Sequence, residues 1–241
     1  MKTLLMVLAL AVLTGCAASK GFYRGALRSS AGPVTTDQAI EDVLALKPQL
    51  PAPFKLGVYL NSHSWIYKKR FWTDEEQNQL LAFGSQLKAA GIISDIYLIS
   101  EDTVPGSNHW TFGSTANREL KDLRLAAARY GADAVLLITD VSAVDRYNNP
   151  AAFLYWTIIG AYVAPGTHSD ALVMLRSSLW DVRNGYLYAT QDAEGVAKKI
   201  GPALLLEDTA SIDEAKKVAI ADFGGKLTER LMRLNAAKPS P

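Results

Sequence analysis

From residue 54 onward, short apolar runs alternate with segments in which apolar residues recur every three or four positions. The runs at residues 55–61, 92–100 and 134–139 predict buried strands, since their apolar residues are nearly continuous. The segments at 73–91 and 116–130 have helical spacing and lie between these runs. Strands that alternate with helices in this way indicate a sheet covered by helices.

Turn and cap signals add detail to this pattern. Residues 171–182 and 186–190 flank Asn184-Gly185, and this dipeptide between two apolar runs predicts a β-hairpin. A capping-box pattern begins at Thr73, which places the start of a helix there.

A second capping-box pattern begins at Ser211 and predicts the start of a C-terminal helix. Gly224 and Gly225 lie inside that helix and predict a kink or a close helix contact. The predicted fold class is therefore α/β (α+β). It has one mixed sheet, the order β-α-β-α-β, β-hairpin, α, and helices packed on the sheet.

The first sixteen residues have the pattern of an export signal. Lys2 precedes eleven uncharged residues, 3–13, which are too few for a membrane span of about 20 residues but fit a signal peptide. Residues 13–16, Leu-Thr-Gly-Cys, resemble the lipobox of bacterial lipoproteins. The resemblance implies cleavage between Gly15 and Cys16 and acylation of Cys16 with chains such as palmitate. Several acyl chains together anchor a protein stably at a membrane.

These signals divide the chain into four regions. They are a signal peptide at 1–15, a lipidated tether with a short helix at 16–53, a single α/β domain at 54–235 and a disordered tail at 236–241. Ala17 stands where an Asp commonly retains Gram-negative lipoproteins in the inner membrane. The family rule therefore implies an outer-membrane lipoprotein that faces the periplasm.

Charge and cysteine content argue against several classes of function. The chain has 25 basic and 24 acidic residues, and such a balance argues against a nucleic-acid partner. The single cysteine, Cys16, leaves no thiol for an internal disulfide or for a zinc site built of cysteines. We expect no cofactor.

Candidate chemistry rests on three histidines, His63, His109 and His168. No two of them have the spacing of a metal-binding pair, and the chain has no nucleophile elbow and no phosphate-binding loop. We expect no metal site, no catalytic residue and no enzymatic activity. A hydrolase that uses one of these histidines is an alternative.

Residues 151–164 stand out as fourteen uncharged and mostly apolar residues. They are too few for a transmembrane helix. Four interpretations are open: a core element, an exposed surface for a partner or for self-association, insertion into the membrane interface, and a β-hairpin contributed to an oligomeric barrel. The side chains assigned to a possible partner interface are Phe153, Tyr155, Trp156, Ile158, Ile159 and Tyr162.

Two segments resemble a group of bacterial envelope lipoproteins that includes CsgG, LpoB and the N-terminal domain of TolB. They are residues 129–136, which end in GADAVL, and residues 179–185, which end in WDVRNG. A nearer resemblance, carried by residues 147–181, is to the uncharacterised rhombotarget lipoprotein family. The resemblances imply an envelope lipoprotein and imply no catalytic residues.

Taken together, the signals predict a non-enzymatic outer-membrane lipoprotein that binds or scaffolds another envelope component. The expected partners are the membrane, through the acyl chains, and an envelope protein or a second copy of the chain. An oligomeric secretion or export component of the CsgG type is the alternative that keeps the same anchor.

Overall fold

The structure is a computed structural model that describes residues 18–30, 40–62, 72–104 and 116–236. The strands of these residues are β1 (Phe54–Ser62), β2 (Ile93–Leu98), β3 (Ala134–Asn148), β4 (Thr167–Asp181) and β5 (Leu187–Gly201). The helices are α1 (Arg24–Ser30), α2 (Ile40–Ala45), α3 (Asp74–Ala89), α4 (Ala116–Arg129), α5 (Ile158–Val163) and α6 (Asp208–Ala236). Two short 3₁₀ segments are also present, Glu101–Thr103 and Pro150–Trp156.

One mixed sheet organises the molecule, with strand order β2-β1-β3-β4-β5. β1 pairs in parallel with both β2 and β3, whereas β3, β4 and β5 are antiparallel. Helices pack on both faces of this sheet. The predicted fold class and order of elements are confirmed.

Side chains alternate between the two faces of the sheet along each strand, and helices cover both faces. On one face, α3 and α6 bury apolar residues such as Leu56, Leu136 and Phe223. On the other face, α4 packs near Val135 and Trp180. This double burial is why the predicted strands appear as continuous apolar runs rather than as alternating ones.

The antiparallel part of the sheet is longer than the sequence pattern predicts. β3 continues to Asn148, and β4 and β5 each span 15 residues. The end of β5 carries Lys198 and Lys199, and lysines on an edge strand hinder its pairing with another chain. Gly185 forms the predicted turn with φ +75°, where glycine is favoured.

One predicted cap is confirmed and the other is wrong. Thr73 accepts a hydrogen bond from the Glu76 N–H, and the Glu76 carboxylate accepts one from the Thr73 N–H, so this capping box begins α3. Ser211 instead lies inside α6, which begins at Asp208. Ser211 is buried and donates a hydrogen bond to Ser169 Oγ, so tertiary packing uses the hydroxyl that the pattern assigned to a cap.

The paired glycines of α6 have different surroundings. A side chain at Gly224 would overlap the Phe83 ring, so this glycine permits the close approach of α3 and α6. Gly225 is exposed, and a Cβ there would meet no atom within 4 Å. The predicted close helix contact therefore exists at Gly224, and α6 continues through both residues.

The region predicted as a tether contains ordered contacts in its described part. Leu27 of α1 and Phe22, which precedes this helix, pack against Val141, Leu172 and Met174, on the same face of the sheet as α4. The short helix predicted in this region corresponds to α2, Ile40–Ala45, which buries none of its residues.

Candidate interaction surface

The segment between β3 and β4 is closed by hydrogen bonds at its base. The Asn149 N–H donates to the carbonyl of Gly166 at 2.8 Å, and the Asn149 side chain donates to the Pro165 carbonyl at 3.0 Å. The same side chain accepts a bond from the Ala151 N–H, which caps the 3₁₀ segment that starts at Pro150. Pro150 suits this first position because its ring presets φ and because the N–H it lacks would have no helical partner there.

Further contacts hold the segment in one conformation. Thr157 caps α5, since its hydroxyl accepts a bond from the Gly160 N–H at 2.9 Å and donates one to the Leu154 carbonyl at 2.8 Å. A side chain at Gly160 would overlap that same carbonyl, so the turn requires glycine. The Tyr155 hydroxyl donates to the Ala164 carbonyl and lies 3.0 Å from Thr167 Oγ1.

The large apolar side chains of this segment face water. Trp156 is 92% exposed, Ile158 83% and Ile159 76%. Phe153, Leu154, Tyr162 and Val163 are also exposed, whereas Tyr155 is half-buried because it braces the base of the segment. The segment is neither a core element nor a β-hairpin, because its residues form exposed 3₁₀ and α-helical turns.

A second exposed apolar stretch lies beside the first. The Leu204 N–H lies 3.5 Å from the Ala161 carbonyl, which joins the turn after β5 to α5. Arg146 Nη2 donates to the Ala203 carbonyl at 2.8 Å and fixes that turn to β3. Leu204 and Leu205 are exposed. We call the combined surface the apolar tip, defined by Phe153, Trp156, Ile158, Ile159, Tyr162, Val163, Leu204 and Leu205.

Five of the six side chains assigned to a possible partner interface therefore belong to the tip, and Tyr155 supports it from inside. Leu204 and Leu205 were missed by the sequence analysis. The available signal was the run of three leucines at 204–206, which follows Pro202 and Ala203 and lies outside any predicted element. Exposed apolar patches of this kind mark sites that bind proteins or membranes.

Ser19 and Gly21, which follow the predicted lipidation site, are held near the end of β3 that leads into the tip. Asp145 of β3 accepts hydrogen bonds from Ser19 Oγ at 2.6 Å and from the Gly21 N–H at 2.9 Å. Partial burial alone would raise the pKa of Asp145, but the hydrogen bonds from Ser19, Gly21 and Lys20 outweigh it and hold the pKa below its ordinary value. Gly15 and Cys16 lie outside the described residues.

The histidine alternative finds little support at His168. Its ring stacks on Tyr147 with centroids 4.6 Å apart, and its Nε2 lies 3.2 Å from the Asn149 side-chain nitrogen. Ser169 faces the opposite side of the sheet and donates to Asp208 at 2.8 Å, because neighbouring residues of a strand point to opposite faces. The neighbouring residues His168 and Ser169 therefore do not contact each other as a catalytic dyad. His63 and His109 lie outside the described residues.

Tyr147 and Asp170 form a polar contact next to His168. The Tyr147 hydroxyl donates to Asp170 Oδ2 at 3.3 Å, and Lys198 Nζ lies 3.5 Å from the same oxygen. Burial, together with the negative charge of Asp170, raises the pKa of Tyr147. These contacts therefore join the end of β3, the start of β4 and the end of β5.

A charged cluster lies in the interior near the carboxyl end of β1. Lys216 of α6 is 1% exposed, and its Nζ lies 3.0 Å from Asp140 Oδ2 and 3.2 Å from Glu76 Oε2. Its ammonium also lies 3.7 Å from the centroid of the Trp72 ring, a cation–π arrangement. Carboxyl ends of parallel strands often border ligand sites, and Trp72 and Lys216 lie close together near this end of β1.

Two kinds of feature are absent from the residues that the structure describes. Within residues 18–30, 40–62, 72–104 and 116–236, no helix has both the length and the apolar character needed to cross a bilayer. Over these same ranges, no three His, Cys, Asp or Glu side chains are arranged to bind a metal ion.

Comparison with known proteins gives structural similarities only. No protein-family model and no curated protein matches the sequence. Lipoprotein GNA1162 from Neisseria meningitidis is 16% identical, with 77% of this chain and 100% of that chain covered and a TM-score of 0.31. A minor lipoprotein from Acinetobacter baumannii is 14% identical, with 79% and 100% covered and a TM-score of 0.36.

A third similar structure is the LpoB C-terminal domain from Salmonella enterica. It is 12% identical, with 60% of this chain and 84% of that chain covered and a TM-score of 0.31. Similarities with identities and TM-scores this low carry no argument about function.

Proposed function

We propose that this protein is an envelope lipoprotein that binds another envelope component through the apolar tip and catalyses no reaction. Cleavage between Gly15 and Cys16, followed by acylation of Cys16, attaches it to the membrane. Ala17 favours the outer membrane, with the domain facing the periplasm. The lipobox pattern supports the anchor, and the exposure of Trp156 and its neighbours supports the binding surface.

The observation that carries the proposal is the number of large apolar side chains that the tip leaves in water. Burying one such side chain fully contributes about 1.5–3 kcal/mol. The eight side chains of the tip are partly exposed to differing degrees, so their combined burial contributes on the order of 10 kcal/mol. Association costs about 4–15 kcal/mol in lost freedom, so stable binding requires that most of the tip is buried at once.

The rigidity of the tip lowers that cost. Asn149, Thr157 and Tyr155 fix the backbone of the segment before any partner arrives. A surface that is already ordered loses less conformational entropy on binding. The tip is therefore suited to binding rather than to serving as a flexible linker.

The test uses the mature chain without its acyl chains, so that binding by the tip is measured alone. Cys16→Ser protein, exported with a signal that is not a lipoprotein signal, is mixed with envelopes isolated from the same bacterium and sedimented. We expect it to sediment with them, and we expect Trp156→Ser with Ile158→Ser and Ile159→Ser to remove most of the bound fraction.

A matched control replaces exposed apolar residues elsewhere, with Leu125→Ser on α4 and Val218→Ser on α6. This control should bind as the parent does. Equal binding by the parent and the tip variant would refute the proposed role of the tip. Mass spectrometry of the mature wild-type N-terminus tests the anchor separately, and an unacylated Cys16 would refute it.

A further inference from the structure

The register of the sheet shows where the N-terminal chain is heading. Val141, Met174 and Glu194 are paired across β3, β4 and β5, and Arg24 forms an ion pair with Glu194 at 3.0 Å. Asp145, four residues further along β3, holds Ser19 and Gly21. The chain from Arg24 back to Ser19 therefore runs toward the end of β3 that leads into the apolar tip.

Covalent geometry limits how far the acylated residue lies from this point. Cys16 precedes Ser19 by three residues, which span at most about 11 Å. β3 ends at Asn148, about 10 Å beyond Asp145 at the strand rise per residue. Acyl chains on Cys16 are therefore attached within reach of the end of the sheet that carries the tip.

The tip has the composition of a surface that enters a membrane interface. Residues 147–167 and 200–206 contain no charged residue. Trp156 and Tyr162, residue types that favour the headgroup region, accompany the aliphatic side chains of Ile158, Ile159 and Leu204. The six-residue helix α5 is far too short to span a bilayer, so only shallow insertion of about 5–10 Å is compatible with it.

We infer that the apolar tip inserts into the bilayer surface beside the acylated Cys16. The domain is then held by two attachments, one covalent and one through side chains. This inference rests on the proposed function, because acylation brings the bilayer to this end of the domain. It specifies that the envelope component bound by the tip is lipid. Tethering makes tip binding an intramolecular event with a high effective concentration of lipid, which a free protein partner would lack.

Electrostatic attraction contributes little to this contact. Two of the cations near the tip are already paired, since Arg146 contacts Asp208 at 3.3 Å and Lys198 contacts Asp170 at 3.5 Å. Insertion should therefore be nearly independent of salt and of the fraction of anionic lipid.

The experiment measures contact between Trp156 and lipid in the acylated full-length mature protein. The protein is reconstituted in vesicles of phosphatidylethanolamine and phosphatidylglycerol, with and without bromine on the acyl chains, and tryptophan emission is recorded. Subtraction of the Trp156→Phe spectrum isolates Trp156 among the five tryptophans. We expect the bromolipid to quench most of the Trp156 emission.

A matched probe reports on the opposite end of the molecule. Met232→Trp, made in the Trp156→Phe chain, places an indole at a half-exposed position of α6. Met232 lies 24 residues after Asp208, about 36 Å along the helix axis, and Asp208 itself contacts Arg146 near the tip. This added tryptophan should contribute emission that the bromolipid leaves unquenched. Ile158→Ser with Ile159→Ser should lower the quenching of Trp156.

Three results would overturn the inference. Trp156 that is shielded from aqueous acrylamide but unquenched by bromolipid is covered by protein, either a second copy or another partner. Trp156 that stays open to acrylamide on the vesicle is covered by nothing. Equal quenching of Trp156 and of the tryptophan in Met232→Trp would show that the domain has no preferred orientation on the vesicle. In each case an acylated N-terminus leaves the proposed anchor intact, whereas an unacylated Cys16 would refute the anchor itself.

Discussion

At the scale of single residues, Lys216 forms ion pairs with two carboxylates in a buried cluster. It is the only cation within ion-pair distance of both Glu76 and Asp140 among the described residues. Two carboxylates in a poorly solvated space require such a partner, since an uncompensated buried charge is costly. The cluster joins α3, β3 and α6, so its role is to hold these three elements together.

Lys216→Met should lower the free energy of unfolding by about 3–5 kcal/mol, because its buried ion pairs with Glu76 and Asp140 are lost. Denaturant unfolding followed by circular dichroism measures the change. Lys217→Met, at the exposed neighbouring position, is the control and should change stability by less than about 0.5 kcal/mol. Similar effects at both positions would show that the ion pairs contribute nothing.

The two glycines of α6 provide a second prediction at this scale. Gly224→Ala should destabilise the protein by about 1–3 kcal/mol, because the added methyl overlaps the Phe83 ring and forces α3 and α6 apart. Gly225→Ala should stabilise it by about 1 kcal/mol, since alanine favours the helix and meets nothing there. Thermal unfolding of both variants decides this, and the same sign at both positions would contradict the packing described.

At the scale of elements, docking of the N-terminal chain depends on Asp145. Its hydrogen bonds with Ser19 and Gly21 hold α1 against β3 and β4. The pKa of Asp145 is lowered in the folded protein, so its contribution is complete above the ordinary value of 3.8 and is lost as pH falls through the lower folded value.

We expect the Gly21 amide resonance to move toward its random-coil position as the pH falls below about 4, before global unfolding. Two-dimensional NMR of the Cys16→Ser mature chain measures this. Asp145→Ala should give the same shift at neutral pH. A Gly21 resonance that ignores both changes would show that Asp145 does not hold the segment.

At the scale of the whole molecule, the apolar tip is separate from the packing that stabilises the fold. The core lies between the sheet and the helices α3, α4 and α6, whereas Ile158 and Ile159 project from the end of the sheet. The side chains of the tip can therefore change without loss of the fold.

Ile158→Ser with Ile159→Ser should change the free energy of unfolding by less than about 1 kcal/mol, since surface substitutions stay within about 0.5 kcal/mol each. The same variant should bind less of a dye that reports exposed apolar surface. Leu172→Ser, at a fully buried position, is the contrasting control and should cost about 3 kcal/mol or more. A large loss of stability at the tip would show that it belongs to the core.

Local chemistry was enough to predict much of this molecule. Continuous apolar runs indicated β1, β2 and the first half of β3, and Thr73 and Glu76 marked the start of α3. Asn184-Gly185 marked the hairpin turn. These signals are readable because each depends on neighbours in sequence, through helical spacing, a cap or a turn. The lipobox pattern, which is also local, remains a prediction.

Contacts between distant residues decided the rest. Ser211 is a buried helix residue, and its hydroxyl donates a hydrogen bond to Ser169, 42 positions away in the sequence. The composition of residues 151–164 fits either a core or a surface segment. The hydrogen bonds from Asn149 to Pro165 and Gly166 close the segment outside the sheet, where its side chains are exposed. The burial of a residue depends on which distant parts of the chain pack around it, and a local sequence pattern does not specify those contacts.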